Sequence, residues 1–280
     1  MTRRTLRTLE EPYRGRAVPP GTTRYWSWLF AAPEAREPLL GIYALMAEWH
    51  ALTDPGTEAD VARIKLAWWG DEMGRLTAGS PLHPICRYLA NLPGTAAIDW
   101  SPLAHPVAAA AAQVAGAPLE RAAELQSHAG ALFGAPLLLA ARLGGARSPS
   151  VQACIAALAE AQYVARALSA YGREARAGRI LFPVEELLAA GVDNDDLAAR
   201  DPPPRLNAYL MRMREHAARY FANAAAALAP QERPPLRHLL VLATLGAKHL
   251  NGRVRRAGRE FRLADLYNAW TAARRAAAAR

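Results

Sequence analysis

The sequence predicts an all-α protein built around one core, and three observations carry that expectation. Alanine is abundant, while valine and isoleucine together fill only 16 of the 280 positions, a balance that favours helices over strands. Turn-forming clusters punctuate the chain at helical spacings: "PPG" at 19–21, "TDPG" at 53–56, "GSP" at 79–81, "LPG" at 92–94, "RSP" at 147–149 and "DPPPR" at 201–205. Between them apolar residues return every three or four positions, and no segment alternates with the two-residue period of a strand.

The elements follow in order. The opening "MTRRTLRTLEEPYRGR" has arginines with no apolar run behind them, which argues against a secretory signal and leaves 1–21 as a basic segment expected to be poorly ordered. "LLGIYALMAEWHALTDPG", 39–56, reads as a helix ending in a turn, where the Asp54 side chain satisfies nearby backbone. Next, Ala62, Leu66, Trp69, Met73 and Leu76 fall on one stripe, widened by Val61, Ile64 and Trp68, with Asp71 and Glu72 expected on the solvent side. His83, after the Gly-Ser-Pro break, reads as a turn residue. The longest apolar run, "AGALFGAPLLLAARLGG", is interrupted by Pro136 and Arg142 and falls short of the ~20 residues that cross a bilayer.

"ALSAYGREARAGRILFP", 167–183, reads as a helix end closed by Gly178. Leu206, Leu210, Met213, Ala217, Tyr220 and Ala224 form a further stripe, and Leu236, Leu240, Ala243, Ala247 and Leu250 another. The helices flanking "DPPPR" lack the polar faces of two independent cores, so that break is read as lying inside a single domain.

A formal charge of +9, from 34 basic and 25 acidic residues, suits phosphates or an anionic membrane surface, and is equally ordinary in arginine-rich proteins. The basic tail "KHLNGRVRRAGREFRL" comes without a recognition motif and reads as one polar helical face, so nucleic acid is not an expected partner. Cys86 and Cys154 have no C-x-x-C spacing; neither a disulfide framework nor a zinc site is indicated, and a reducing, cytoplasmic setting fits.

Three groups of residues can carry chemistry. His50 and Asp54 lie one helical turn apart and can share a metal ion, although a lone His at such a position is more often packed and hydrogen-bonded. Trp68 and Trp69 either line a pocket for a long apolar ligand or belong to the core. Arg173, Arg176 and Arg179 either form an anion-holding edge or favour the negative end of the helix they terminate, and only Glu174 accompanies them.

Taken in order, several blocks resemble the squalene/phytoene synthase family. "TRYWSWLFAAPEAREPLLGIYAL" is similar to its opening helices, with Thr23, Arg24, Tyr25, Pro33, Arg36 and Tyr43-Ala44-Leu45 at the matching positions. "KLAWWGDEMGRLTAGSPLHP" is similar to its Trp-Trp helix and the turn after it, and "GREARAGRILFPVEELLAAGV" resembles its Gly-x-x-Ala-Arg-x-Gly-Arg signature before an apolar residue and Pro. "ELQSHAGALFGAPLLLAARLG" resembles the small-residue helix that lines the family cavity. The resemblance covers 22–260, leaving 261–280 as a helical tail packed on the domain or extending it. It implies an isoprenoid synthase-type bundle around a central cavity, with Tyr25, Tyr43, Arg166, Arg173, Arg176 and Arg179 toward a diphosphate and Trp68, Trp69, Phe133 and Tyr163 lining the cavity.

Active members carry two aspartate-rich motifs that hold Mg²⁺. Here the first falls on His50, Ala51 and Asp54, and the second on Ala170 and Glu174, with Arg166 where an asparagine is expected. The resemblance narrows to a divergent branch with weakened Asp motifs, similar to the family-like factors that assemble respiratory complex I. It implies binding of an isoprenoid or lipid chain, prenyl transfer lost or strongly impaired, and an accessory role beside a protein partner, peripheral on the inner face of a membrane. The rival expectation is an active Mg²⁺-dependent transferase joining two prenyl diphosphates, with metal held at the remnants His50, Asp54 and Glu174.

Overall fold

The structure, a computed structural model, describes residues 9–95, 98–143, 146, 148–251 and 263–278. Residues 1–8 of the basic N-terminal segment and the arginine-rich stretch 252–262 therefore lie outside the described residues, while 9–21 are described and include a helix. The chain forms α1 (Glu11–Ala17), α2 (Thr23–Leu29), α3 (Pro33–Leu52), α4 (Ala59–Thr77), α5 (Pro84–Ala90), α6 (Ala104–Val114), α7 (Ala122–Ala129), α8 (Ala135–Leu143) and α9 (Pro149–Arg176). These are followed by α10 (Val184–Ala189), α11 (Asn194–Ala198), α12 (Pro204–Ala227), α13 (Arg237–Asn251) and α14 (Leu263–Ala278). No strand occurs among the described residues.

The turn signals act where expected. Pro149 and Pro204, within two of those clusters, open α9 and α12, and Pro33 and Pro84, outside them, open α3 and α5, positions where a missing N–H costs nothing. Asp54 accepts the backbone N–H of Gly56 at 2.9 Å, closing the turn after α3. His83 is the N-cap of α5, its ring nitrogen accepting from the Ile85 N–H. Pro136 supplies no N–H to the turn before it, and the five residues Gly130–Gly134 wind as a π-helix between α7 and α8.

The long helices α3 and α9 run through the middle, with α12 and α13 packed beyond α9 and α2 and α14 closing against α13. The predicted stripes form the core: Leu66, Met73, Leu206, Ala217, Leu236 and Ala243 are all buried. Two expectations fail on α4. Val61, Ile64 and Trp68 are exposed, because the neighbours of α4, chiefly α6, cover one side only. Glu72 is not on the solvent side but fully enclosed at 0% exposure. It follows Trp69 by three residues and precedes Leu76 by four, which is a core position on a helix. Its carboxylate is satisfied there by the N–H groups of Leu82 (2.8 Å) and His83 (2.7 Å) and by Arg75 (2.8 Å).

Candidate functional site

Helical spacing sets two faces opposite one another. On α3, Tyr43 and His50 are seven residues apart, and Thr53 follows a turn later. On α9, Tyr163, Arg166, Ala170 and Glu174 recur at three- and four-residue intervals and form its inward row. The rows are joined directly: Arg166 Nη2 donates to Thr53 Oγ1 at 2.5 Å, and its Nη1 to Gln113 Oε1 of α6 at 3.3 Å.

The end of α9 completes the site. Gly178 adopts φ +74°, the left-handed conformation open to glycine, so that its N–H reaches the Ala175 carbonyl and the Arg179 N–H reaches that of Glu174, both at 2.9 Å. This double closure turns Arg179 back over the helix. Its guanidinium meets the buried Glu174 carboxylate at 2.7 Å and donates to the Thr53 carbonyl at the end of α3, at 3.1 Å. The glycine thus terminates the helix and aims Arg179 inward onto Glu174.

The four arginines divide. Arg166 and Arg179 point inward; Arg173 lies at the surface on Asp54 (3.3 Å), and Arg176 turns away to the Ala198 carbonyl (3.2 Å). Tyr43 is buried, its hydroxyl 2.9 Å from Ser27 Oγ, which donates to the His238 carbonyl. Tyr25 is only half-buried and packs edge-on against Trp26 rather than joining this network. Phe133, in the π-helical segment, lies 4.9 Å from the His50 ring. Tyr163 donates to the Leu181 carbonyl, and its ring meets His128 at 5.3 Å. Trp69 is buried edge-on to Trp49, whereas Trp68 is 40% exposed beside Arg75 and His83.

Arg24, on α2, faces this centre and is absent from the site that sequence reasoning assembled, as are Thr53, Gln113 and His128. Its Nη1 is covered by protein and has no hydrogen-bond partner, and the same holds for His50 Nε2. Arg24, His50 and Arg166 are each largely enclosed by protein. Burial, reinforced by the Arg166 and Arg24 charges, holds the His50 imidazole well below its usual pKa, so it is neutral at pH 7. Among the described residues, the acids near this interior are Glu174, already paired with Arg179, and Asp54 at the surface. A cavity of about 10 Å³ opens between Gln113, His128, Tyr163 and Arg179, room for roughly one water.

Magnesium requires hard oxygen donors, carboxylates above all. The positions that the family resemblance assigns to the metal motifs supply none at Ala51 and Ala170, a nitrogen at His50, and two carboxylates already held by arginines, at Asp54 and Glu174. Arg166 also places a positive group across the two rows. This donor set does not fit a magnesium cluster.

An all-helical bundle with two long central helices is the isoprenoid synthase-type architecture. Residues 18–275 match the family described as squalene/phytoene synthase, and the chain belongs to that family. Among solved structures, a dehydrosqualene synthase in complex with ligand shares 16% identity and a TM-score of 0.68, over 90% of this chain and 89% of that one. The squalene synthase HpnC from Alicyclobacillus acidocaldarius shares 20% identity and a TM-score of 0.66, over 81% of this chain and 85% of its own. A search of curated protein sequences finds no match.

Proposed function

We propose that this chain uses the family scaffold to hold an isoprenoid or lipid chain with an anionic head, and that head-to-head prenyl transfer is lost or strongly impaired. The observation that carries this reading is the 2.5 Å bond from Arg166 to Thr53, which ties a guanidinium between the two helices at the level of the altered motifs. Guanidinium N–H groups hold a phosphate by directed hydrogen bonds. Departure of diphosphate from an allylic carbon asks for more, namely divalent charge that grows in effect as the bond breaks. Every ~1.4 kcal/mol of that stabilisation withdrawn slows the reaction tenfold.

Arg24 explains why an anion belongs here. Arg166 already feels the Glu174 and Asp54 carboxylates, whereas Arg24 is largely enclosed with an unpaired Nη1; a buried cation of that kind costs several kcal/mol, and a bound phosphate offsets that cost. The apolar tail would lie toward Phe133 and Tyr163; because the cavity beside Tyr163 holds about 10 Å³, side chains there must give way to admit it. With its chain bound, the protein would serve as an accessory factor to a protein partner at the inner, cytoplasmic face of a membrane. The rival reading, a magnesium-dependent transferase, requires Asp54 and Glu174 to leave Arg173 and Arg179.

The test is calorimetric titration with farnesyl phosphate and farnesyl diphosphate, in EDTA and again in excess magnesium. Binding in EDTA, unchanged by magnesium and weakened about tenfold or more in Arg24→Ala, is the expected result. Binding that appears only with magnesium contradicts it.

A further inference from the structure

Helix α14 turns its small residues inward and its large ones outward. Ala269, Ala273 and Ala276 are buried, while Leu263, Tyr267 and Trp270 stand 75%, 65% and 43% exposed. Steps of four and three residues place these three on one face, and Arg274 continues it, its guanidinium 4.8 Å from the Trp270 ring. The sole acid of the helix, Asp265, is buried against His249, so the outward face carries no negative charge. Tryptophan and tyrosine beside arginine suit the boundary of a bilayer, where an apolar ring and a polar edge are both accommodated.

A second feature adjoins that face. Between α12, α13 and α14 lies an open cleft of about 350 Å³ whose rim includes Arg233, Lys248, Arg275 and Tyr267 over a floor that includes Leu240 and Ala272. Three cations line it, and among the described residues no carboxylate does. Among the described residues none of the three makes an ion pair; Lys248 donates to Asn268 at 2.6 Å and Arg233 to the Leu228 carbonyl at 3.1 Å. A cationic rim over an apolar floor fits a phosphate headgroup with the first carbons of its acyl chains.

We infer that α14 docks on an anionic bilayer, with Leu263, Tyr267 and Trp270 in the interface and a phospholipid headgroup in the cleft among Arg233, Lys248 and Arg275. This rests on the membrane half of the proposed function and gives it a surface formed by none of the residues that would hold the isoprenoid. Tyr267, Trp270 and Arg275 are exposed on α14 and Lys248 is exposed on α13, so substituting them leaves the buried alanine face of α14 intact.

Sedimentation with vesicles tests it, using phosphatidylcholine alone and phosphatidylcholine mixed with an equal amount of phosphatidylglycerol. The expected result is binding to the mixed vesicles only, weakened about tenfold or more by Lys248→Glu with Arg275→Glu. Tyr267→Ser with Trp270→Ser is expected to lower affinity for the same vesicles by a similar factor, with melting temperature unchanged. Arg24→Ala should bind vesicles like the parent protein, which separates failure of this surface from failure of the central site. Equal binding to both vesicle types, parental affinity in either double variant, or a melting shift with inorganic phosphate without any vesicle binding overturns the inference.

Discussion

Arg24 shows what a single residue can hide in a sequence. It sits on the seven-residue helix α2, too short for a periodic pattern to say which side faces inward, and the neighbouring Tyr25 was the position expected in the site. Glu72 is the opposite case: its spacing from Trp69 and Leu76 already marked a core position, but a carboxylate there reads as solvated until its N–H partners are known. The histidines give a pH prediction. Burial, with a smaller contribution from Arg237, lowers His238 to about 4, and burial followed by Arg166 lowers His128 to about 4. Both therefore fold neutral, while in the unfolded chain they titrate near 6.5, so the unfolded state binds more protons between those values. Stability should fall as pH drops from about 6.5 toward 4. Neither His238 ring nitrogen has a partner, so His238→Leu should cost little at pH 7 and flatten that fall. Melting temperature against pH for both proteins checks this, and parallel curves would contradict it.

Helices were the most legible level. Proline starts, the Gly178 stop and the buried stripes were all readable, because each follows from spacing along one segment. The width of a stripe was not: Val61, Ile64 and Trp68 are exposed through the placement of the neighbouring helices, which the segment itself does not encode. The π-helical turn was likewise unread, although Pro136 gave its cause. The end of α9 supplies the prediction at this level. Gly178→Ala forces a side chain into φ +74° and should destabilise the protein by about 1–2 kcal/mol. Because that turn aims Arg179, the variant should also weaken ligand binding, whereas Ala177→Gly, one residue earlier, should leave binding intact. Equal effects of the two on affinity would disconnect the helix end from the site.

Across the whole molecule, the family and its helical architecture were evident from the order of the motif blocks, while the closeness of approach between distant helices was not. A methyl group on Gly246 of α13 would lie 2.4 Å from the Phe221 ring of α12, which leaves no room for it. Gly246→Ala should therefore lower stability by about 1–3 kcal/mol, visible as a lower urea midpoint with the slope retained. An unchanged midpoint would mean that these helices pack less tightly than described. At this scale too, no helix among the described residues is long and apolar enough to cross a membrane.

The central claim is that an arginine-rich interior has replaced a magnesium-binding one. Incubating the purified protein with farnesyl and geranylgeranyl diphosphates and magnesium, then measuring released diphosphate and hydrocarbon together, tests it most directly. The account predicts neither a coupled hydrocarbon nor magnesium-dependent release; stoichiometric formation of both would contradict it.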